Sequence, residues 1–122
     1  MIIGFIIISL VTLAYVIMLI DTNDLMKEVK NVFLGKVPAS ETKGKPISRY
    51  NTSSYSGTKV SLSLIRVFTF HNFSDGTIYI YYTVVVYDRD GTVLTGSWRI
   101  PAKWKIHKEN GQWLITDIIE DP

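Results

Sequence analysis

The first twenty residues, MIIGFIIISLVTLAYVIMLI, carry no charged side chain. No other feature restricts the fold as strongly. Twenty residues in a helix rise ~1.5 Å each, or ~30 Å in all, the thickness of a bilayer's hydrocarbon core. Lipid offers no partner for backbone polar groups, so such a run must be helical despite its β-branched residues. Ser9 and Thr12 can return their hydroxyl protons to the helix's own carbonyls. Asp21 and Asp24 mark the return to water. A cleaved signal peptide would need a basic start, a shorter apolar run and a small-x-small site. None of these is present, so residues 1–20 read as an uncleaved signal-anchor. The whole chain has 122 residues, and a domain built from the rest is too small to bury a helix that is apolar all round.

Orientation follows from the charges beyond the helix. Lys27, Lys30 and Lys36 come after it, mixed with Asp21, Asp24 and Glu28, and only the α-amino group precedes it. A positive-inside count therefore favours a cytoplasmic domain.

The remainder reads as one α+β domain. Asp21-Thr22-Asn23-Asp24 supplies N-cap residues. Leu25, Val29, Val32 and Phe33 recur at helical spacing, and Gly35 is a C-cap candidate. The spacing predicts a short amphipathic helix within residues 21–35, from about 23 to 34. Residues 36–57, with Pro38 and Pro46 and many hydroxyls, read as a linker. From residue 58 to residue 122 the chain reads as an antiparallel sheet, forming one domain with 21–35. Val60, Leu62, Leu64, Phe68 and Phe70 alternate with Ser61, Ser63, Thr69 and His71. Thr77 to Tyr87 is almost wholly β-branched or aromatic, as suits a central strand. Thr92 to Lys108 follows, with Pro101 predicting a bulge, bend or edge. Asn110-Gly111 closes a hairpin onto Gln112 to Glu120. Four strands joined by short turns predict a meander with the helix on one face.

The ending KWKIHKENGQWLITDIIEDP resembles the last hairpin of the nuclear-transport-factor-2-like and cystatin-like superfamily. There, a strand with Trp and Lys meets an Asn-Gly turn, and an aromatic-x-Ile-x-Asp-Ile strand returns to an acidic-Pro pair. The resemblance covers residues 98–122, and residues 23–97 by topology. It implies a cystatin-like layout, since only one helix precedes the sheet where the full pattern has three helices making a cone. Many small bacterial members join such a domain to one N-terminal membrane helix and face the cell exterior. The resemblance thus implies an extracytoplasmic domain, against the positive-inside count. No position matches the acid or His–Asp pair of the superfamily's enzymes, so no catalytic residue is carried over.

The charge balance, 13 basic against 11 acidic residues, lacks the clustered basic face of a nucleic-acid binder. With no cysteine, the chain has no disulfide, thiolate nucleophile or thiolate metal ligand. His71 and His107 fall near strand ends on the polar parity and read as solvated residues. Asp88, Asp90 and Gly91 only faintly echo a calcium loop, whose other ligands are missing. No metal, cofactor or catalytic group is expected, and the chain reads as non-enzymatic. The weak pocket candidates are Asp117, which interrupts an apolar parity and would have a raised pKa if enclosed, and His71.

The strongest functional signal is aromatic. Both parities of the second strand are partly apolar, and one helix can cover only one face. Tyr79, Tyr81, Tyr87 and Trp98 are the candidate interaction face. The expected partners are the lipid bilayer, through residues 1–20, and a protein, either a different chain or a second copy. The rival readings are a small-ligand or enzymatic pocket, and a minor subunit of a membrane transport or secretion complex.

Overall fold

The computed structural model describes residues 1–55 and 58–120. The chain is α+β, with helices α1 (Ile2–Asp21), α2 (Asn23–Phe33) and the single turn α3 (Ala39–Thr42). A 3₁₀ turn at Pro46–Tyr50 precedes strands β1 (Lys59–His71), β2 (Asp75–Tyr87), β3 (Val93–Glu109) and β4 (Gln112–Glu120). The sheet is an antiparallel meander in the order β1-β2-β3-β4.

Helix α1 is long and apolar enough to cross a membrane, and none of its residues is buried. Within it the Thr12 hydroxyl donates to the Ile8 carbonyl at 2.8 Å. It does not run on into α2. Thr22 separates the two, its hydroxyl turned back onto the Met18 carbonyl at 2.8 Å. Helix α2 presents Leu25, Val29, Val32 and Phe33 to the sheet. It stops at Gly35, whose φ of +74° lets Lys36 N–H reach the Asn31 carbonyl and Gly35 N–H the Val32 carbonyl, a Schellman ending.

The core lies between α2 and one face of the sheet. Ile78, Ile80 and Tyr82 of β2, Ala102, Trp104 and Ile106 of β3, and Trp113 and Ile115 of β4 fill it. The segment 36–57, expected as a linker, is more than a connection where it is described. Its 3₁₀ turn puts Ile47 and Tyr50 into this core, and Tyr50 stacks on Phe33 with centroids 4.2 Å apart. An aromatic residue among prolines and hydroxyls gives no periodic signal, so local pattern could not place it.

Four register shifts bend the sheet. They fall between Arg66 and Phe68 in β1, between Tyr82 and Val84 and between Val86 and Tyr87 where β2 meets β3, and between Lys105 and Ile106 where β3 meets β4. A bulge leaves one residue unpaired and exchanges the faces of those beyond it. After Val67, Thr69 and His71 are therefore buried while Phe68 and Phe70 are exposed, the reverse of the simple alternation. Pro101 pairs with Tyr81 one residue before β3 first meets β4, at Ala102–Glu120 among the described residues. Asn110 and Gly111 both have positive φ, 52° and 78°, the I′-type geometry that Asn-Gly favours.

Candidate functional site

Three places gather the chemistry-bearing side chains: the uncovered face of the sheet, the junction between α1 and the domain, and a cluster around Glu120. On the uncovered face, pairing register sets Ile65, Tyr81 and Pro101 in one row and Phe68, Tyr79, Lys103 and Ile119 in the next. Tyr79 and Tyr81 are exposed, as are Val67, Pro101 and Ile119. The Lys103 ammonium lies 5.8 Å from the Tyr79 ring centroid, within reach of the ring's negative face. A shallow, open depression of about 520 Å³ runs between Val67, Tyr79, Tyr81, Pro101, Lys103 and Ile119.

Trp98 and Tyr87 share this face, farther from α1. Trp98 sits in a bulge, next to Arg99 with φ 55°, and the Arg99 N–H donates to the Thr83 hydroxyl at 2.9 Å. The Trp98 indole folds over Gly96, where an added Cβ would come within 2.7 Å of the ring. Gly96 pairs with Val85, so the indole lies on the tyrosine face. Tyr87 is half-buried at the end of β2 and borders a second open hollow of about 570 Å³, with Lys59, Asp88 and Arg89. The structure thus sets Tyr79 and Tyr81 together and leaves Tyr87 and Trp98 toward the other end of the face.

The second cluster ties α1 to the sheet. The Asp21 carboxylate accepts from the Trp113 indole N–H at 2.8 Å and from the Lys108 ammonium at 3.5 Å. His71 Nε2 lies 3.7 Å from the same oxygen. Nearby, the Arg66 guanidinium donates to the Thr22 hydroxyl at 2.9 Å, the Leu19 carbonyl at 3.3 Å and Asn23 Oδ1 at 2.9 Å. Burial lowers the Arg66 pKa. His71, expected to be solvated, is 1% exposed, because the Val67 bulge turns it inward. Its Nδ1 accepts from the Phe73 N–H at 3.0 Å, so the neutral ring carries its proton on Nε2, an atom with no hydrogen-bond partner. Burial lowers its pKa, and the Asp21 carboxylate opposes that shift. His107 is half exposed, with Nδ1 2.8 Å from Asp75 Oδ1.

A third polar group, centred on Glu120, was not legible in the sequence. Its carboxylate accepts from the hydroxyls of Tyr50 and Tyr82, each at 2.7 Å, and pairs with Arg49 at 3.3 Å. The Trp104 indole N–H donates to the Tyr50 oxygen at 3.0 Å. Burial, reinforced by Glu120, pushes both tyrosine pKa values above their ordinary range. These five side chains close an end of the core.

Asp117 is exposed. The bulge at Thr116 puts it opposite Lys105, on the uncovered face and away from the buried Trp113 and Ile115. Neither hollow is lined by Asp117 or His71. Asp88 uses Oδ1 to accept the N–H groups of Asp90 and Thr92, both at 2.9 Å, as in an ordinary turn. Among the described residues no three His, Asp or Glu side chains gather into a metal site.

These features define an α+β domain joined, through a hydrogen-bonded junction, to one helix capable of spanning a bilayer. Nothing matches this chain among protein-family models, curated proteins or solved structures.

Proposed function

We propose that this chain is a single-pass membrane-anchored protein whose domain, outside the cytoplasm, docks a partner protein of the same membrane on the uncovered sheet face. One observation carries the reading. Helix α2 covers one side of the sheet, and the other side holds Tyr79 and Tyr81 exposed among Val67, Pro101 and Ile119. Tyrosines with an apolar body and a polar tip suit interfaces that form and dissolve in water. Lys103 over Tyr79 and Lys105 on the same face favour a partner with an apolar centre and an acidic rim.

The anchor reading rests on the length and composition of α1. Membership of the nuclear-transport-factor-2-like and cystatin-like superfamily is part of the proposal and rests on the C-terminal hairpin. It also supplies the extracytoplasmic placement, against the positive-inside count. The two open hollows of the sheet have neither Asp117 nor His71 in their lining, so they lend the pocket reading no support.

The test is site-specific photocrosslinking of the full-length protein in its native membrane. A benzophenone side chain at position 81 should give one discrete crosslinked species, which Tyr79→Ser abolishes. The same probe at Arg89, in the turn between β2 and β3, should not give it. If position 81 captures only what position 89 captures, the docking face is wrong.

A further inference from the structure

A cluster of exposed large apolar side chains marks an interaction surface, and three exposed phenylalanines lie at one end of β1. Phe68 is 45% exposed, Phe70 58% and Phe73 57%. The Val67 bulge puts the first two outside while burying Thr69 and His71. Phe73, in the following turn, holds a φ of 69°, unfavourable for a side chain of this size. Chain and sheet both accept a cost here that a water-facing surface would not repay.

Their position gives the reason. Tyr15 of α1 stacks on Phe68, centroids 5.6 Å apart at 26°, and Asp21 faces His71 at 3.7 Å. The end of β1 therefore stands level with the segment Tyr15–Asp21. Six residues separate those two, a rise of ~9 Å along the helix. A tilt of ~20° from the membrane normal would shorten that depth by under ~1 Å. If Asp21 marks the exit to water, Phe68 lies ~9 Å below it, at the boundary of headgroups and acyl chains. The junction bonds of Asp21 and Arg66 prevent the sheet from swinging away.

We propose that the end of β1 and the turn after it, through Phe68, Phe70 and Phe73, form a second membrane contact seated in the interfacial layer beside α1. This rests on the reading of α1 as a membrane span. Lipid is the occupant because the patch is continuous with the anchor through the Tyr15–Phe68 stack; Phe68 and Phe70, which pair with Tyr79 and Thr77, form the β1 corner of the uncovered face, and the partner site proposed above is the part of that face carried by β2, β3 and β4. The bulge then gives the correct pattern for its surroundings: phenylalanine toward acyl chains, threonine and histidine toward the protein.

The natural chain has no cysteine, so single cysteines can carry a nitroxide label. Full-length Phe70→Cys, Phe73→Cys, Asp90→Cys and Leu10→Cys would be placed in vesicles of phosphatidylcholine and phosphatidylglycerol. Collision with oxygen, which partitions into lipid, is compared with collision with a water-soluble nickel chelate. Ser74→Cys serves the same turn if a phenylalanine variant misfolds. The expected oxygen-to-nickel ratio is several-fold higher at 70 and 73 than at 90, and highest at 10. Equal ratios at 70, 73 and 90, with 10 in lipid, overturn the second contact and leave the anchor standing. A label at 10 as wet as that at 90 overturns both. Shielding at 70 and 73 from both reagents means that protein covers the patch, which also overturns the proposal.

Discussion

At the residue scale, the most consequential oxygen outside the junction is the Tyr50 hydroxyl. It accepts from the Trp104 indole N–H and donates to Glu120, so it satisfies a buried donor while also contributing to the ring packing. Tyr50→Phe keeps the ring and leaves that N–H unpaired, which should cost about 1–3 kcal/mol. Tyr82→Phe leaves Glu120 still bonded to Tyr50 and Arg49, so it should cost less, about 1 kcal/mol. Urea unfolding of the two variants measures the difference, and equal losses would contradict the network.

His71 supplies the pH dependence. Its folded pKa lies below the ordinary 6.5 because burial disfavours the charged ring. The unfolded chain therefore binds more protons at mildly acidic pH. Stability should fall as pH drops below about 6.5 and continue to fall down to the folded pKa. The thermal midpoint of wild type should decline between pH 7 and pH 5 more steeply than that of His71→Gln. Parallel slopes would mean that the histidine is not buried neutral.

At the element scale, strands and turns were legible where their signals are local. The four strands, the amphipathic helix and the Asn110-Gly111 turn follow from period-2 alternation, helical spacing and left-handed turn chemistry. Bulges were not legible, because one unpaired residue changes no propensity and is chosen by packing across the sheet. That is why Phe68, Phe70, His71 and Asp117 each lie on the face opposite to the one alternation implies, or in surroundings it did not foresee. The tyrosine face was legible because β2 is apolar on both parities. The Glu120 cluster was not, because its members are seventy and thirty-eight positions apart from their partner in the chain.

Gly35 carries an element-scale prediction. Its φ is +74°, and an added Cβ would sit 3.0 Å from the Thr52 hydroxyl. That hydroxyl is itself fixed, donating to the Phe33 carbonyl at 2.8 Å. Gly35→Ala should therefore destabilise by about 1–2 kcal/mol or more, from left-handed strain plus the displaced bond. Gly91, with φ +83° but nothing near its Cβ position, should cost only the strain. Chemical denaturation of both alanine variants tests the ordering.

At the scale of the whole molecule, α1 is not a loose tether. Asp21, Thr22 and Asn23 hold Trp113, Lys108 and Arg66, so the domain's attitude is tied to the helix that carries it. An anchor fixed in this way would present the tyrosine face at a set height and angle, which a partner in the same membrane can use and a freely rotating domain would not offer.

All of this depends on α1 residing in lipid. The direct measurement is alkaline carbonate extraction of membranes containing the full-length protein, followed by flotation, with the N-terminal residue verified by mass spectrometry. The account predicts that the intact chain floats with the vesicles and is released only by detergent. Recovery of the chain in the aqueous fraction, with Met1 still attached and no detergent present, would contradict it.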